Sequence, residues 1–250
     1  KSADSWIKLQ AGRSEGLVSG LQRSDDGGFG FTAYDDLSFT EAEAGSYRAD
    51  VGVGLGDFFA GREGRATLYV QTLEAGYSAP GLATVADTEN FGGTFWMPLS
   101  TRVSIGAKGD RRTIDQGLET TAVEVNAGLQ MTERMKLSAG VRNDDRIDSS
   151  PIMPLTQEQG ERTDAVLQVD YDPGSSWRGY GFVQETVAST GDREENGRIG
   201  VGGSYRLTER LRIDSEISDG DLGPGGRIGS NYLYSESTNL YLNYALENER

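Results

Sequence analysis

From Glu119 to Asn143 the chain reads ETTAVEVNAGLQMTERMKLSAGVRN, and its apolar residues fall on every second position. Thr121, Val123, Val125, Ala127, Leu129 and Met131 form one set, interleaved with Ala122, Glu124, Asn126, Gly128 and Gln130. Thr132 to Met135 reverse the chain, and Met135, Leu137, Ala139 and Val141 then alternate with Lys136, Ser138, Gly140 and Arg142. A period of two belongs to extended backbone, where successive side chains point to opposite faces. A helix would need apolar residues three and four apart, and Val, Thr and Gly are poor helix formers. The stretch therefore predicts an antiparallel hairpin with one apolar and one polar face. Each arm sustains the pattern for about eleven residues, roughly twice the usual strand of a soluble domain. That length suits a tilted strand crossing a bilayer.

The same alternation recurs along the chain. It marks Ile7, Leu9 and Ala11; Tyr47, Ala49, Val51, Val53 and Leu55; and Ala66, Leu68, Val70 and Thr72. It continues through Phe91 to Leu99, Val103 to Ala107, Ala165 to Tyr171, Trp177 to Val187, Ile199 to Leu207, Leu211 to Ile217, and Leu240 to Leu246. About twelve strands are expected, within a range of roughly ten to fourteen. The connections between them alternate between short and long. The short ones are the Phe58 region, PLSTR, MTERM, DPGSS and LTERL; the long ones are rich in Gly, Ser and Asp. Residues 13–43, 110–117, 144–161 and the stretches TGDREENG and SDGDLGPGGRIG read as the long loops. Trp6, Trp96 and Trp177, with Phe58, Phe59, Tyr171, Tyr205 and Tyr244, lie near the short-turn end, where an interfacial girdle is expected.

Composition narrows the functions open to such a chain. Among 250 residues there is no Cys and no His, which removes disulfides, Ser-His and Cys-His nucleophile systems, and most zinc or haem sites. A net charge of −15 argues against nucleic acid as a partner, since phosphate binding needs clustered Lys and Arg. The mean hydropathy of −0.52 is compatible with a barrel that turns only alternate residues to lipid. No apolar run reaches the roughly 20 residues of a transmembrane helix. The start at Lys1, without an initiator Met, suggests a processed or excised segment.

These residues, and the turns QMTERM and RLTERL in particular, resemble bacterial outer-membrane β-barrel proteins as a broad class, over nearly the whole chain. The resemblance implies an all-β, antiparallel up-and-down transmembrane β-barrel in residues 1–250, with both termini periplasmic. Such proteins commonly end on a strand with a terminal aromatic, whereas this chain ends LNYALENER, so a piece of a longer barrel is the favoured reading.

If the apolar set faces lipid, parity sends the other set inward. The pore-lining candidates are Arg48, Asp50, Arg102, Lys108, Glu124, Lys136, Arg142, Asp170, Arg198, Arg206, Arg212, Asp214 and Glu216. Basic residues outnumber acidic ones in this set. Asp25, Asp26, Asp35, Asp36, Asp144, Asp145, Glu194, Glu195, Asp219 and Asp221 are assigned to the outer loops. The favoured function is a passive pore for small polar or anionic solutes. The bland reading is that the inner charges pair and fill a non-conducting barrel that anchors a larger envelope protein. A soluble extracellular adhesion or carbohydrate-binding domain, with the apolar stripe buried between two sheets, is the rival from another class.

Asp214 and Glu216 share one strand face and suit acid–base work, but an ion pair to Arg212 or Arg206 is the simpler expectation. DDGGFG and SDGDLGPGG offer oxygen ligands to hard cations without the order of a calcium loop, and solvated loop is the better reading. No enzyme and no cofactor are expected. The expected partners are the bilayer and lipopolysaccharide, with divalent cations bridging the acidic loops. Residues 13–43, carrying Phe29, Phe31 and Phe39, are the candidate plug.

Overall fold

A computed structural model of the chain describes residues 4–17, 22–23, 32–33, 41–59, 61, 63–79, 82–149 and 159–246. The expected plug, the DDGGFG stretch, SSPIMP beyond Ser149 and the last four residues lie outside this set, apart from the plug's two flanks and two short segments. The first strand is β1 (Trp6–Leu17), followed by the two-residue strands β2 (Gln22–Arg23) and β3 (Thr32–Ala33). Next come β4 (Glu41–Gly54), a one-turn helix α1 (Leu55–Phe58), β5 (Arg65–Leu73), and the short β6 (Ser78–Ala79) and β7 (Leu82–Ala83). The rest are β8 (Thr88–Pro98), β9 (Val103–Ile114), β10 (Leu118–Gln130), β11 (Met135–Asp148), β12 (Gly160–Tyr171) and β13 (Trp177–Ser189). They end with β14 (Arg198–Arg206), β15 (Leu211–Gly220), β16 (Gly225–Ser235) and β17 (Thr238–Leu246). The thirteen longer strands form one sheet in chain order, each beside its sequence neighbour, with β1 and β17 at its edges; β2–β3 and β6–β7 are separate small hairpins.

Contacts divide the chain into two units, one of residues 1–93, 110–121 and 147–155, the other of 94–109, 122–146 and 156–250. In the first, β1 runs antiparallel to β4 from Trp6↔Gly52 to Leu17↔Glu41, and β4 pairs β5 from Ser46↔Leu73 to Gly54↔Arg65. In the second, β11 to β17 form a continuous antiparallel ladder, broken in register only near Thr163/Asp164 and Leu233/Ser235 among the described pairings.

Burial is inverted relative to a soluble domain, in which large apolar side chains fill the core. Ile7 and Leu9 are 72% and 76% exposed on β1, and Ile199 and Ile217 are 65% and 67% exposed on β14 and β15. Among the described residues the buried apolar side chains are Ala44 and Leu73 alone, whereas Asp144, Arg162, Arg193 and Glu216 are all buried. Strand parity explains the split. Apolar residues occupy one face of the sheet, and the opposite face gathers charges, amides and aromatics that shield one another.

Three expectations need correction. SDGDLGPGGRIG is not one loop: its glycines enter β16, whose residues Tyr232, Leu233 and Tyr234 follow the diluted start. Residues 110–114 and 144–148 extend β9 and β11 instead of forming loops, so the connection 115–117 is short, as is 221–224, and the alternation of loop lengths is incomplete. Trp6 does not join an apolar girdle; its indole lies over Gly52 on the charged face, where any side chain at position 52 would collide with it.

Candidate functional site

Cross-strand pairing on the charged face places its residues in rows, because directly opposed residues in antiparallel strands share a face. One row runs Lys136, Asp170, Tyr180, Gly202, Glu216, Arg227 across β11 to β16. Lys136 extends its stem over Gly128 beside Ser104, which continues the row toward β9. At its other end the Tyr180 ring lies over Gly202, and the phenol donates to Glu216 Oε2; Arg227 reaches the same oxygen at 3.4 Å. Glu216 thus pairs with Arg227 and Tyr180, not with the Arg212 or Arg206 expected, because Arg227 is its register partner on β16. The neighbouring ring of Phe182 covers Gly200 and carries the Arg198 guanidinium 5.4 Å from its centre. Arg198 also donates to the amide of Gln184 at 3.1 and 3.3 Å.

Toward the long-loop end of β11 and β12, arginines gather on two carboxylates. Asp144 accepts from Arg193 at 3.0 Å and from Arg146 at 3.2 Å, with Arg142 at 3.5 Å. Arg162 binds Asp164 at 3.0 Å, and Thr186 donates to Asp164 at 2.6 Å. Asp144 and Asp145 are therefore strand residues, and Asp144 is not a solvated outer-loop charge.

The connection 190–197 folds onto this network. The Arg193 side chain is fully buried, the Asn196 N–H donates to Thr186 at 2.8 Å, and the Asn196 and Glu194 carbonyls accept from Gln184 and Arg162. Asp144, Arg162 and Asp164 of this network also border a cavity of about 420 Å³, lined further by Glu124, Asn126, Arg142, Gln168, Gln184 and Arg198.

The short-turn end is also rich in arginine. A hollow of about 670 Å³ is lined by Arg178, Arg206, Arg210, Arg212 and Arg227 against the carboxylates of Glu209 and Asp214. Arg178 Nε and an Arg212 terminal nitrogen both donate to the hydroxyl oxygen of Ser204, each at 3.0 Å.

The remaining sequence candidates fall as follows. Arg48 and Asp50 pair with each other at 2.7 Å in the first unit, with Arg48 4.8 Å from the Tyr69 ring centre and donating to Gln71. Arg102 is in the turn before β9, where its carbonyl accepts from Gln130. Lys108 lies on β9 two positions beyond Gly106, which sits against Asn126, and Glu124 accepts weakly from Asn126 at 3.4 Å. Asp170 accepts from Gln168 at 2.8 Å.

Sequence parity thus found much of this face but missed Asp164, Arg162, Arg178, Tyr180, Arg193 and Arg227. Parity in the segments 161–164 and 177–187 carried the signal for most of these, while nothing local marked Arg193 as buried. Among the described residues no cluster of three or more carboxylates is arranged to hold a metal ion.

No family model and no curated protein sequence matches the chain. Among solved structures it is similar to the KdgM porin in complex with disordered oligogalacturonate, at 10% identity over 77% of this chain and 94% of that one, with a TM-score of 0.44. It is similar to the toluene transporter TodX of Pseudomonas putida at 8% identity, covering 98% and 84% with a TM-score of 0.42. The outer membrane channel DcaP of Acinetobacter baumannii gives 11% identity, 98% and 91% coverage and 0.43. The chain is an all-β protein whose long strands pair up-and-down, with an exposed apolar face and a charged face that packs on itself.

Proposed function

We propose that the chain forms a passive pore in the bacterial outer membrane for small polar or anionic solutes. The inverted burial carries the reading: an exposed apolar face asks for lipid, and a face of charges and amides asks for an aqueous interior. The unmatched arginines at the short-turn end favour anions over cations. The short turns sit in the periplasm, with the start of β1 beside Gly52; β17 runs the other way, from the turn at Ser235 and Thr238 to Leu246 beside Gly226 at the long-loop end, against the expectation that both termini share the short-turn side. The long acidic connections face outward, where divalent cations bridge them to lipopolysaccharide.

A non-conducting anchor is the second reading, favoured by one observation: residues 190–197 are tied onto the charged face by Arg193 and Asn196. Single-channel recording from protein inserted in planar bilayers separates the two. Discrete current steps with an anion-biased reversal potential support the pore. Silence from demonstrably inserted protein leaves the anchor.

A further inference from the structure

We infer that Arg178, Ser204 and Arg212 form an oxyanion-binding subsite at the short-turn end of the charged face, taking a carboxylate or phosphate group of a small solute. This rests on the pore reading for its access route but not for its chemistry.

Ser204 accepts from both guanidiniums at 3.0 Å, so its two lone pairs are occupied and its hydroxyl hydrogen remains to donate. Two guanidinium forks and one hydroxyl then converge from adjacent strands, since Arg178 pairs Ser204 in register across β13 and β14. Planar forks of this kind match the two oxygens of a carboxylate or phosphate better than an ammonium does.

The second observation is independent of these bonds. Arg206 on β14 stands directly opposite Arg212 on β15, two like charges at one register position, which is unfavourable without a counter-charge. Among the described residues, Arg178, Arg206 and Arg212 make no ion pair with a carboxylate. Asp214 faces Ser204 across the ladder, but its carboxylate lies against Gly229 beside the Asn243 side-chain oxygen. At the long-loop end, by contrast, the arginines of β11, β12 and the connection 190–197 are ion-paired to Asp144 and Asp164. What sets the short-turn end apart is that Arg178, Arg206 and Arg212 have no such carboxylate among the described residues, and they border an open hollow.

The test uses the full chain in detergent and in planar bilayers, with citrate and inorganic phosphate as probes and Arg111→Gln as a distant control. Calorimetric titration should show binding of at least one probe, weakened about ten-fold or more in R178Q/R212Q and unchanged in R111Q. R178K/R212K keeps the charge and the apolar stems while losing the forks. It should retain anion selectivity in the bilayer yet bind the probe several-fold more weakly. Citrate binding without phosphate binding assigns a carboxylate solute, and the reverse assigns a phosphate. If neither probe binds the wild type, or if R178Q/R212Q binds as the wild type does, the subsite is overturned. Probe binding by a protein that passes no current overturns the pore and leaves the subsite standing.

Discussion

The short turns show how little sequence is needed to reverse a strand here. Leu99-Ser100-Thr101-Arg102-Val103, Met131-Thr132-Glu133-Arg134-Met135 and Leu207-Thr208-Glu209-Arg210-Leu211 adopt one bonding pattern. In each, the Ser or Thr hydroxyl accepts the backbone N–H groups two and three residues on, at 3.0 to 3.2 Å. The first apolar residue donates its N–H to the carbonyl of the last at 2.8 to 2.9 Å. This is the local hydroxyl-to-backbone bonding that makes Ser and Thr turn formers. Replacing Thr132 or Thr208 by Ala should cost about 0.5–1.5 kcal/mol, read as a lowered urea midpoint for refolding into detergent. The likeness of these turns was legible because the side chains that make the bonds are in the motif. The aromatic–glycine pairs were not, since nothing in GGSY says that a ring from the neighbouring strand covers Gly202. Gly202→Val should push Tyr180 off Glu216 and destabilise by about 1–3 kcal/mol, with the Tyr180→Ala background relieving most of it.

At the scale of elements, alternation identified twelve of the thirteen long strands and misplaced their ends. The reason is physical. Beyond the apolar band both faces of β9 and β11 are polar, as in DRRTI and RNDDRID, so period two has no hydropathy contrast to show itself. Hydrogen bonding to the neighbouring strand keeps the backbone extended regardless. β16 escaped for the complementary reason, since three of its first five residues are glycine. The inward fold of 190–197 was beyond sequence reasoning, because TGDREENG looks solvated and the groups that draw it in, Asp144, Arg162, Gln184 and Thr186, lie outside it. Arg193→Ala removes the segment's buried ion pair while Asp144 keeps Arg146 and Arg142, so the loss falls on the connection and should free it from the face. Limited proteolysis should then cut within 190–197, and conductance through the inserted protein should rise. Unchanged proteolysis and current would remove the idea that this connection constricts the interior.

For the molecule as a whole, the question is which solvent each face of the sheet meets, and the tryptophans answer it. Trp177 lies with Tyr171, ring centres 5.6 Å apart, on the face that also carries Val183 and Val169. Trp6 lies over Gly52 on the face that carries Arg48 and Asp50. Both indoles are partly exposed, at 45% and 39%, so exposure alone does not distinguish them. A soluble sandwich would bury the apolar face between sheets and wet the charged one. A bilayer barrel does the opposite of burial, presenting the apolar face to acyl chains while water reaches the charged face from within. Two single-tryptophan variants, W6F/W96F and W96F/W177F, isolate the two reporters. Reconstituted in vesicles containing brominated lipid, the Trp177 reporter should lose most of its emission while Trp6 stays largely unquenched. Aqueous iodide or acrylamide should then reach Trp6 better than Trp177. Equal insensitivity of both reporters to brominated lipid would place neither face in the bilayer and would return the chain to the soluble all-β alternative.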